Sequence, residues 1–250
     1  MPFSKVGYTI TNYGYKRPAA SGRFIVVAPH AGGDDLKSAF IARRLARRLK
    51  AACVINDKYF KPTNSRAAHE PELVEDFNRL SRGRKSHHYL WRRKKPAMKE
   101  FFDDVRQYCR EVRSLTPGKK PVAIYVHGMP DNGVDIDLGV GLHAKKNKGR
   151  FVGSRKSDYY CTGVLTVRFK QLKELRRLLL AKLPADVVLG IGQRHRAWSR
   201  LTAVQFHKHA PRNDFAMQIE FSRRLRFDKI KRKCIIKLLA ASLKNVFPQI

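Results

Sequence analysis

The sequence predicts an α/β fold, a single domain built on a mixed, mostly parallel sheet flanked by helices. Three observations carry this expectation. Short apolar runs recur along the chain, bounded by Gly, Pro and polar residues, as strands are. Segments of helical apolar period lie between them, and that alternation is the pattern of an α/β sheet. Finally, 250 residues with 43% hydrophobic content suffice for one substantial core. No internal repeat is present.

Taken in order, "MPFSKVGYTITNYGYKR" has no apolar h-region, so no secretory signal is expected there. "RFIVVA" (23–28) reads as a buried strand and runs into "PHAGGDD". "LKSAFIARRLARRLK" (36–50) puts Leu36, Phe40, Ile41, Leu45 and Leu49 on one helical face and arginines on the other. "ACVIN" (52–56) is a second strand. The run "RLSRGRKSHHYLWRRKKP" (79–96) is basic, partly aromatic and aperiodic, which makes it a surface excursion. Helix "MKEFFDDVRQYCREVRSL" (98–115) and strand "PVAIYVH" (121–127) follow. Then come helix "FKQLKELRRLLLAKL" (169–183), strands "DVVLGI" (186–191) and "FAMQIEF" (215–221), and helix "IIKLLAASLKNVF" (235–247). Residues 1–250 are read as one domain with a basic excursion at about 79–96.

There are 53 Lys+Arg against 20 Asp+Glu, a net charge of +33. Such a balance points to an anionic substrate or a polyanionic partner, because the surface concentrates anions and repels itself. Cys53, Cys109, Cys161 and Cys234 show no C-x-x-C spacing and suit buried thiols in a reducing compartment. No stretch approaches the length of a transmembrane helix, so no membrane partner is expected and the location expected is cytoplasmic.

Ligand sites of open α/β sheets form beyond the carboxyl ends of strands. His30 and His127 fall just past two such ends, and Glu220 lies near the end of the last strand. The two glycines of "HAGGDD" let the backbone turn so that an imidazole and a carboxylate can converge. Two histidines and one carboxylate form the ligand set of a catalytic zinc site, and imidazole with carboxylate suits zinc better than magnesium or calcium. Spacing alone leaves a second reading open, that of hydrogen-bonded polar residues in a cleft.

"VVAPHAGGDD", "DFNR", "YVHGM", "DIDLG" and "MQIEFSRRLR", in that order over about residues 24 to 226, resemble the N-formylglutamate amidohydrolase family and the related phage poly-γ-glutamate hydrolases. The resemblance implies a zinc carboxypeptidase-like (phosphorylase/hydrolase-like) fold with one catalytic Zn2+ at the strand ends. It places His30, Asp35 and His127 as metal ligands and Glu220 as general base. Aspartate stands at position 35 where the phage hydrolases have a glutamate, one methylene longer, so Asp34 remains an alternative ligand. The chemistry implied is amide hydrolysis, in which zinc acidifies water and polarises the scissile carbonyl while Glu220 handles the proton. From the residues alone, Glu220 reads instead as a strand glutamate paired to Arg223, Arg224 or Arg226.

"VEDFNRL" resembles the family's substrate-side stretch, which implies substrate-binding roles for Asp76, Asn78 and Arg79. Arg224 and Arg226 offer further guanidinium groups, and a guanidinium grips a carboxylate bidentately. The partner expected is an anionic small molecule or a polyglutamate-like substrate. His87, His88, His143, His195, His207 and His209 have no metal-ligand context, and His207 and His209 read as surface residues. The rival reading is a basic nucleic-acid-associated protein that keeps the fold without the activity. "ARRLARRLK" and the 79–96 run would then bind phosphate backbones non-specifically.

Overall fold

Runs rich in Val, Ile and Phe form the centre of an eight-stranded sheet, because β-branched and aromatic side chains pack well on a pleated surface. A computed structural model describes residues 7–80, 94–144, 159–161, 165–197, 202–208 and 214–248. In chain order the strands are β1 (Thr9–Ile10), β2 (Gly14–Arg17), β3 (Phe24–Ala28), β4 (Ala52–Asn56), β5 (Val122–Met129), β6 (Ile136–Gly139), β7 (Leu142–Ala144), β8 (Tyr159–Cys161), β9 (Leu189–Ile191) and β10 (Phe215–Ser222). The main sheet runs β1-β2-β4-β3-β5-β10-β6-β9, and β7 and β8 pair apart from it. The centre, β4-β3-β5-β10, is parallel, and so is β6-β9; β1-β2, β2-β4 and β10-β6 are antiparallel. The sheet is thus mixed and mostly parallel, as the sequence predicts.

Alternation along the central strands divides the core in two. Val26, Ile124 and Ile219 face α1 (Ser38–Leu49), α3 (Phe169–Leu180) and α6 (Lys229–Val246). Val27, Tyr125 and Ala216 face α2 (Pro96–Leu115) and the short α4 (Ala203–Phe206). A further short helix, α5 (Arg223–Phe227), joins β10 to α6. No helix among the described residues is long and apolar enough to cross a membrane.

Several element bounds differ from the expected ones, each for a local reason. Lys37 adopts a left-handed backbone (φ 72°), so α1 starts at Ser38 and leaves Leu36 56% exposed instead of on the apolar face. α6 starts at Lys229 because the Asp228 carboxylate caps it, accepting the Ile230 and Lys231 amides at 2.9 Å each. The strand expected at 186–191 shortens to β9, since the Val188 amide donates to the Asp135 side chain at 2.9 Å. β5 runs two residues past His127, which therefore sits inside the strand, held there by pairing with β10 as far as Met129 and Ser222. Cys53 and Cys109 are buried free thiols, but Cys234 is exposed on α6, contrary to the expectation of buried cysteines. Most of the basic excursion, 81–93, lies outside the described residues, as do His87, His88 and His209.

Candidate active site

The stretch after β3 folds back on itself to aim its polar side chains at the strand ends. Gly32 passes so close to the Tyr59 carbonyl that a Cβ there would lie 2.6 Å from it, which excludes any larger residue. The Asp35 amide donates to the His30 carbonyl at 3.1 Å and closes the turn. Asp34 points away, accepting from the Lys61 amide at 2.7 Å and the Asn64 side chain at 2.9 Å, so it pins the loop that follows β4. Asp35 is the acid that turns inward.

Asp35 Oδ2 lies 3.4 Å from His30 Nδ1 and 3.2 Å from His127 Nδ1, with all three residues buried. The far side of the His30 ring, Nε2, bonds Asp76 Oδ1 at 2.9 Å. Ligand atoms of His30, Asp35 and His127 all fall within 4.8 Å of one another, so this group could hold a metal ion. His30 Nδ1 and His127 Nε2 have no hydrogen-bond partner among the described residues although both are buried. Unpaired buried imidazole nitrogens beside a carboxylate are what a cation would satisfy, and an N,N,O donor set suits zinc.

The electrostatics follow from this packing. Burial opposes charge on Asp35, but the hydrogen bond with His127 and the His30 imidazole beside it outweigh burial and hold the carboxyl well below its usual range. Burial and the charge of His30 push His127 down to about 4, against its bond to Asp35. For His30 burial is outweighed by the nearby Asp35 carboxylate and the bond to Asp76, and its pKa rises. Asp76 is drawn down to about 2, its burial overcome chiefly by the bond to His30.

Glu220 stands beside this group on the neighbouring strand, opposite His127 in the β5–β10 register. Its Oε1 accepts from the Gln218 amide, and its Oε2 has no hydrogen-bond partner among the described residues. Burial first, and then the charge of Asp35, raise its pKa well above the ordinary value of 4.5. None of the arginines that could have paired with it does so. Arg224 engages Asp135 through Nε (2.6 Å) and Nη2, and lies outside the cleft. Arg226 is buried, and its guanidinium donates to the carbonyls of Leu36, Met129 and Phe221 at 2.6–3.1 Å. It packs so tightly under Gly128 that a Cβ there would fall 2.5 Å from it. The substrate-binding expectation for Arg224 and Arg226 is therefore corrected, since both guanidinium groups already serve the fold.

A cleft of about 630 Å³ opens over these residues. His30, His127 and Glu220 form part of its lining, with Asp76, Asn78 and Arg79 from the stretch before 81. Arg79 is exposed, whereas Asn78 holds the wall by accepting the Ala203 amide at 3.3 Å. Asp76 lines the cleft and bonds His30. The same cavity reveals three residues that carried no signal in the sequence: Lys61, Gln218 and His195. Lys61 Nζ lies 3.7 Å from Asp35 Oδ1, and His195 Nδ1 lies 3.5 Å from Glu220 Oε1. His195 reaches Glu220 because Asp137, in "DIDLG", accepts the backbone amides of Gln193, Arg194 and His195 at 2.7–3.1 Å.

A second buried group, Cys109, His207 and Asp214, lies under α2. His207 is 1% exposed and not a surface residue, because α4 turns it inward onto the Tyr125 hydroxyl at 2.8 Å. Arg113 pairs with Asp214.

No family model and no curated protein sequence matches this chain. Solved structures do. An N-formylglutamate amidohydrolase from Ralstonia eutropha superposes over 92% of this chain and 95% of its own, with TM-score 0.56 and 12% identity. A gene product of Agrobacterium tumefaciens covers 90% of each chain, with TM-score 0.51 and 14% identity. A bacteriophage poly-γ-glutamate hydrolase aligns over 98% of this chain and 90% of its own at 12% identity, but its TM-score of 0.43 makes it too distant to bear on the fold. The likeness is one of fold. At that level, the resemblance to N-formylglutamate amidohydrolase read from the five motifs is borne out.

Proposed function

We propose that this protein, residues 1–250 as one domain, is a zinc-dependent hydrolase. It cuts a C–N amide bond in an acidic N-acyl amino acid or a γ-glutamyl substrate. The observation that carries the reading is a pair of buried carboxyl groups with opposite tendencies in one cleft. Asp35 is held ionised between the imidazoles of His30 and His127, and Glu220 beside it is pushed towards the protonated form with no Lys or Arg paired to it among the described residues. Two carboxyls driven apart in this way are the usual ground for dividing ligand and acid–base roles.

His30, Asp35 and His127 would hold the ion, which when bound acts as a Lewis acid towards the substrate carbonyl and acidifies water. Asp76 keeps the proton of His30 on Nε2 and so leaves Nδ1 free to ligate, the part an outer carboxylate plays at metal-bound histidines. With the ion's positive charge beside it favouring the carboxylate, Glu220 would take a proton from the attacking water at Oε2, the oxygen without a partner among the described residues, and pass it to the leaving amine. Gln218 orients that carboxyl by donating to Oε1. Lys61 and Arg79, cationic residues in the cleft lining, would meet a substrate carboxylate. The substrate class rests on the shared fold with a protein named for N-formylglutamate and on those cations.

Elemental analysis of protein purified without chelators should give about one zinc per chain, lost in a His30→Ala/His127→Ala variant. The zinc-loaded protein should hydrolyse N-formylglutamate or a γ-glutamyl amide. Unchanged zinc in the double variant would dismiss the site; full zinc with no turnover across a panel of acyl amino acids would dismiss the activity.

A further inference from the structure

The positive charge is not spread evenly over the two helical layers. On one side of the sheet, α1, α3 and α6 carry four, four and six basic residues against the single acid Glu174, a net charge of +13. On the other side α2 carries four basic and four acidic residues and is neutral. In this layer Arg177 pairs with Glu174 and Lys231 with Asp186. Arg44, Arg47, Arg48, Lys173, Lys233 and Lys237 are exposed.

This layer faces away from the cleft. His127 and Glu220 continue the alternation of Tyr125 and Ala216, which face α2, whereas Ile124 and Ile219 face α1, α3 and α6. The charged helices therefore lie across the sheet from the candidate active site and cannot contact a substrate bound there. Their charge also works against their own folding. Arg44 and Arg48 repel at i,i+4, as do Lys173 and Arg177, and Lys233 and Lys237. Neither α1 nor α6 has an acid within its span to offset this. The guanidinium groups of Arg44 and Arg232 lie 5.4 Å and 4.7 Å from the Phe40 ring, so one ring ties the basic residues of α1 to those of α6.

We propose that the α1–α3–α6 face is a docking surface for the phosphodiester backbone of nucleic acid, separate from the cleft. A broad face with a net charge of +13 matches a polymer of regularly spaced single negative charges, and binding there draws its free energy from released counterions. Arginine forks fit phosphate oxygens bidentately. An anionic membrane fits less well. The exposed apolar residues on or beside this face are few, Leu180, Ile230, Leu36 and Phe227, while the exposed residues of α1 are all arginines, which offer nothing to a hydrocarbon layer.

The test needs neither metal nor turnover, so its outcome is independent of the hydrolase reading. Unrelated duplex oligonucleotides are titrated with the full chain, chelator present, at about 50 and 200 mM salt. Six to ten phosphate contacts would weaken binding by about 10³–10⁵-fold between those concentrations, with little regard to sequence. Arg47→Glu/Arg48→Glu should lower both the affinity and the salt slope, the latter by about two for two lost contacts. Lys99→Glu/Arg110→Glu, which changes the total charge equally on the α2 side, should leave both near the parent values. Arg47→Gln/Arg48→Gln gives the same readout if the glutamates impair folding. No binding by the parent at low salt would overturn the proposal, and so would equal losses in the two glutamate pairs. Capture by phosphatidylserine vesicles at a salt concentration where the oligonucleotide is released would overturn it in favour of a membrane.

Discussion

Replacing Glu220 by Gln in the metal-free protein should raise stability at neutral pH while removing activity from the zinc-loaded form. The carboxyl is 3% exposed, its Oε2 has no hydrogen-bond partner, and it pairs with no Lys or Arg among the described residues. Burial and the neighbouring Asp35 charge lift its pKa well above 4.5. Between 4.5 and that raised value the unfolded chain has released the proton and the folded chain has kept it. Stability therefore falls as pH rises through that window. At about 1.4 kcal/mol per pH unit, the loss that can accumulate between 4.5 and pH 7 is bounded at about 3–4 kcal/mol. Glutamine has nearly the same shape and cannot ionise, so it escapes this loss. At about 2–4 °C per kcal/mol for a chain of this size, the variant should melt several degrees above the parent at pH 7 and together with it near pH 4. With zinc restored, turnover should drop by about 10²–10⁴-fold with zinc content retained. Thermal melts at the two pH values and hydrolysis assays at pH 7 supply the comparison. A variant less stable than the parent at pH 7 would refute the reasoning, since that is the sign expected if Glu220 were an ionised partner of an arginine.

Asp76→Asn should leave the fold intact but weaken zinc binding by about 10–100-fold in competition with a chelator, because His30 loses the carboxylate that fixes its tautomer. Arg226→Met should lower stability by about 2–4 kcal/mol in denaturant titrations, as three carbonyls lose their charged donor, with KM of the folded fraction unchanged. A raised KM with full stability would return Arg226 to the substrate site.

What the sequence makes legible depends on how much of each signal is local. β3 and β4 announce themselves because every residue in them is buried and most are apolar. β2, "GYKR", and β6, "IDLG", do not, since each mixes polar and apolar residues over only four positions. In β6 the interruption is itself informative, because Asp137 points to the α2 side and collects the amides of residues 193–195. An acid flanked by apolar residues in "DIDLG" is the signal that could have led to His195; no pattern around His195 itself does so. Lys61 is equally silent, since its place in the cleft depends on Asp34 accepting its amide from 27 residues away. His207 was misleading for a different reason. Its alternation with His209 suggests an extended exposed segment, yet residues 203–206 form a helix that turns His207 onto Tyr125.

Asp35, Asp76 and Glu220 illustrate why residue type alone could not assign roles. All three are carboxyl groups in or beside one cleft, and all three meet a burial penalty. Asp35 and Asp76 each accept from an imidazole, which more than offsets burial and keeps them ionised. Glu220 accepts from the uncharged Gln218 amide and faces the Asp35 charge, so it goes the other way. The decisive difference is positional, and it is set by the sheet. Glu220 and His127 are register partners on adjacent parallel strands, so their side chains emerge on the same face, one beside a metal-ligand candidate and the other as that candidate. A slip of one residue between β5 and β10 would turn Glu220 into the apolar layer beneath α1 and α6 and bring Ile219 or Phe221 to the cleft. The unpaired acid is therefore fixed in place by eight consecutive ladder pairs and not by a loop, which is the rigidity that proton transfer at a defined atom requires.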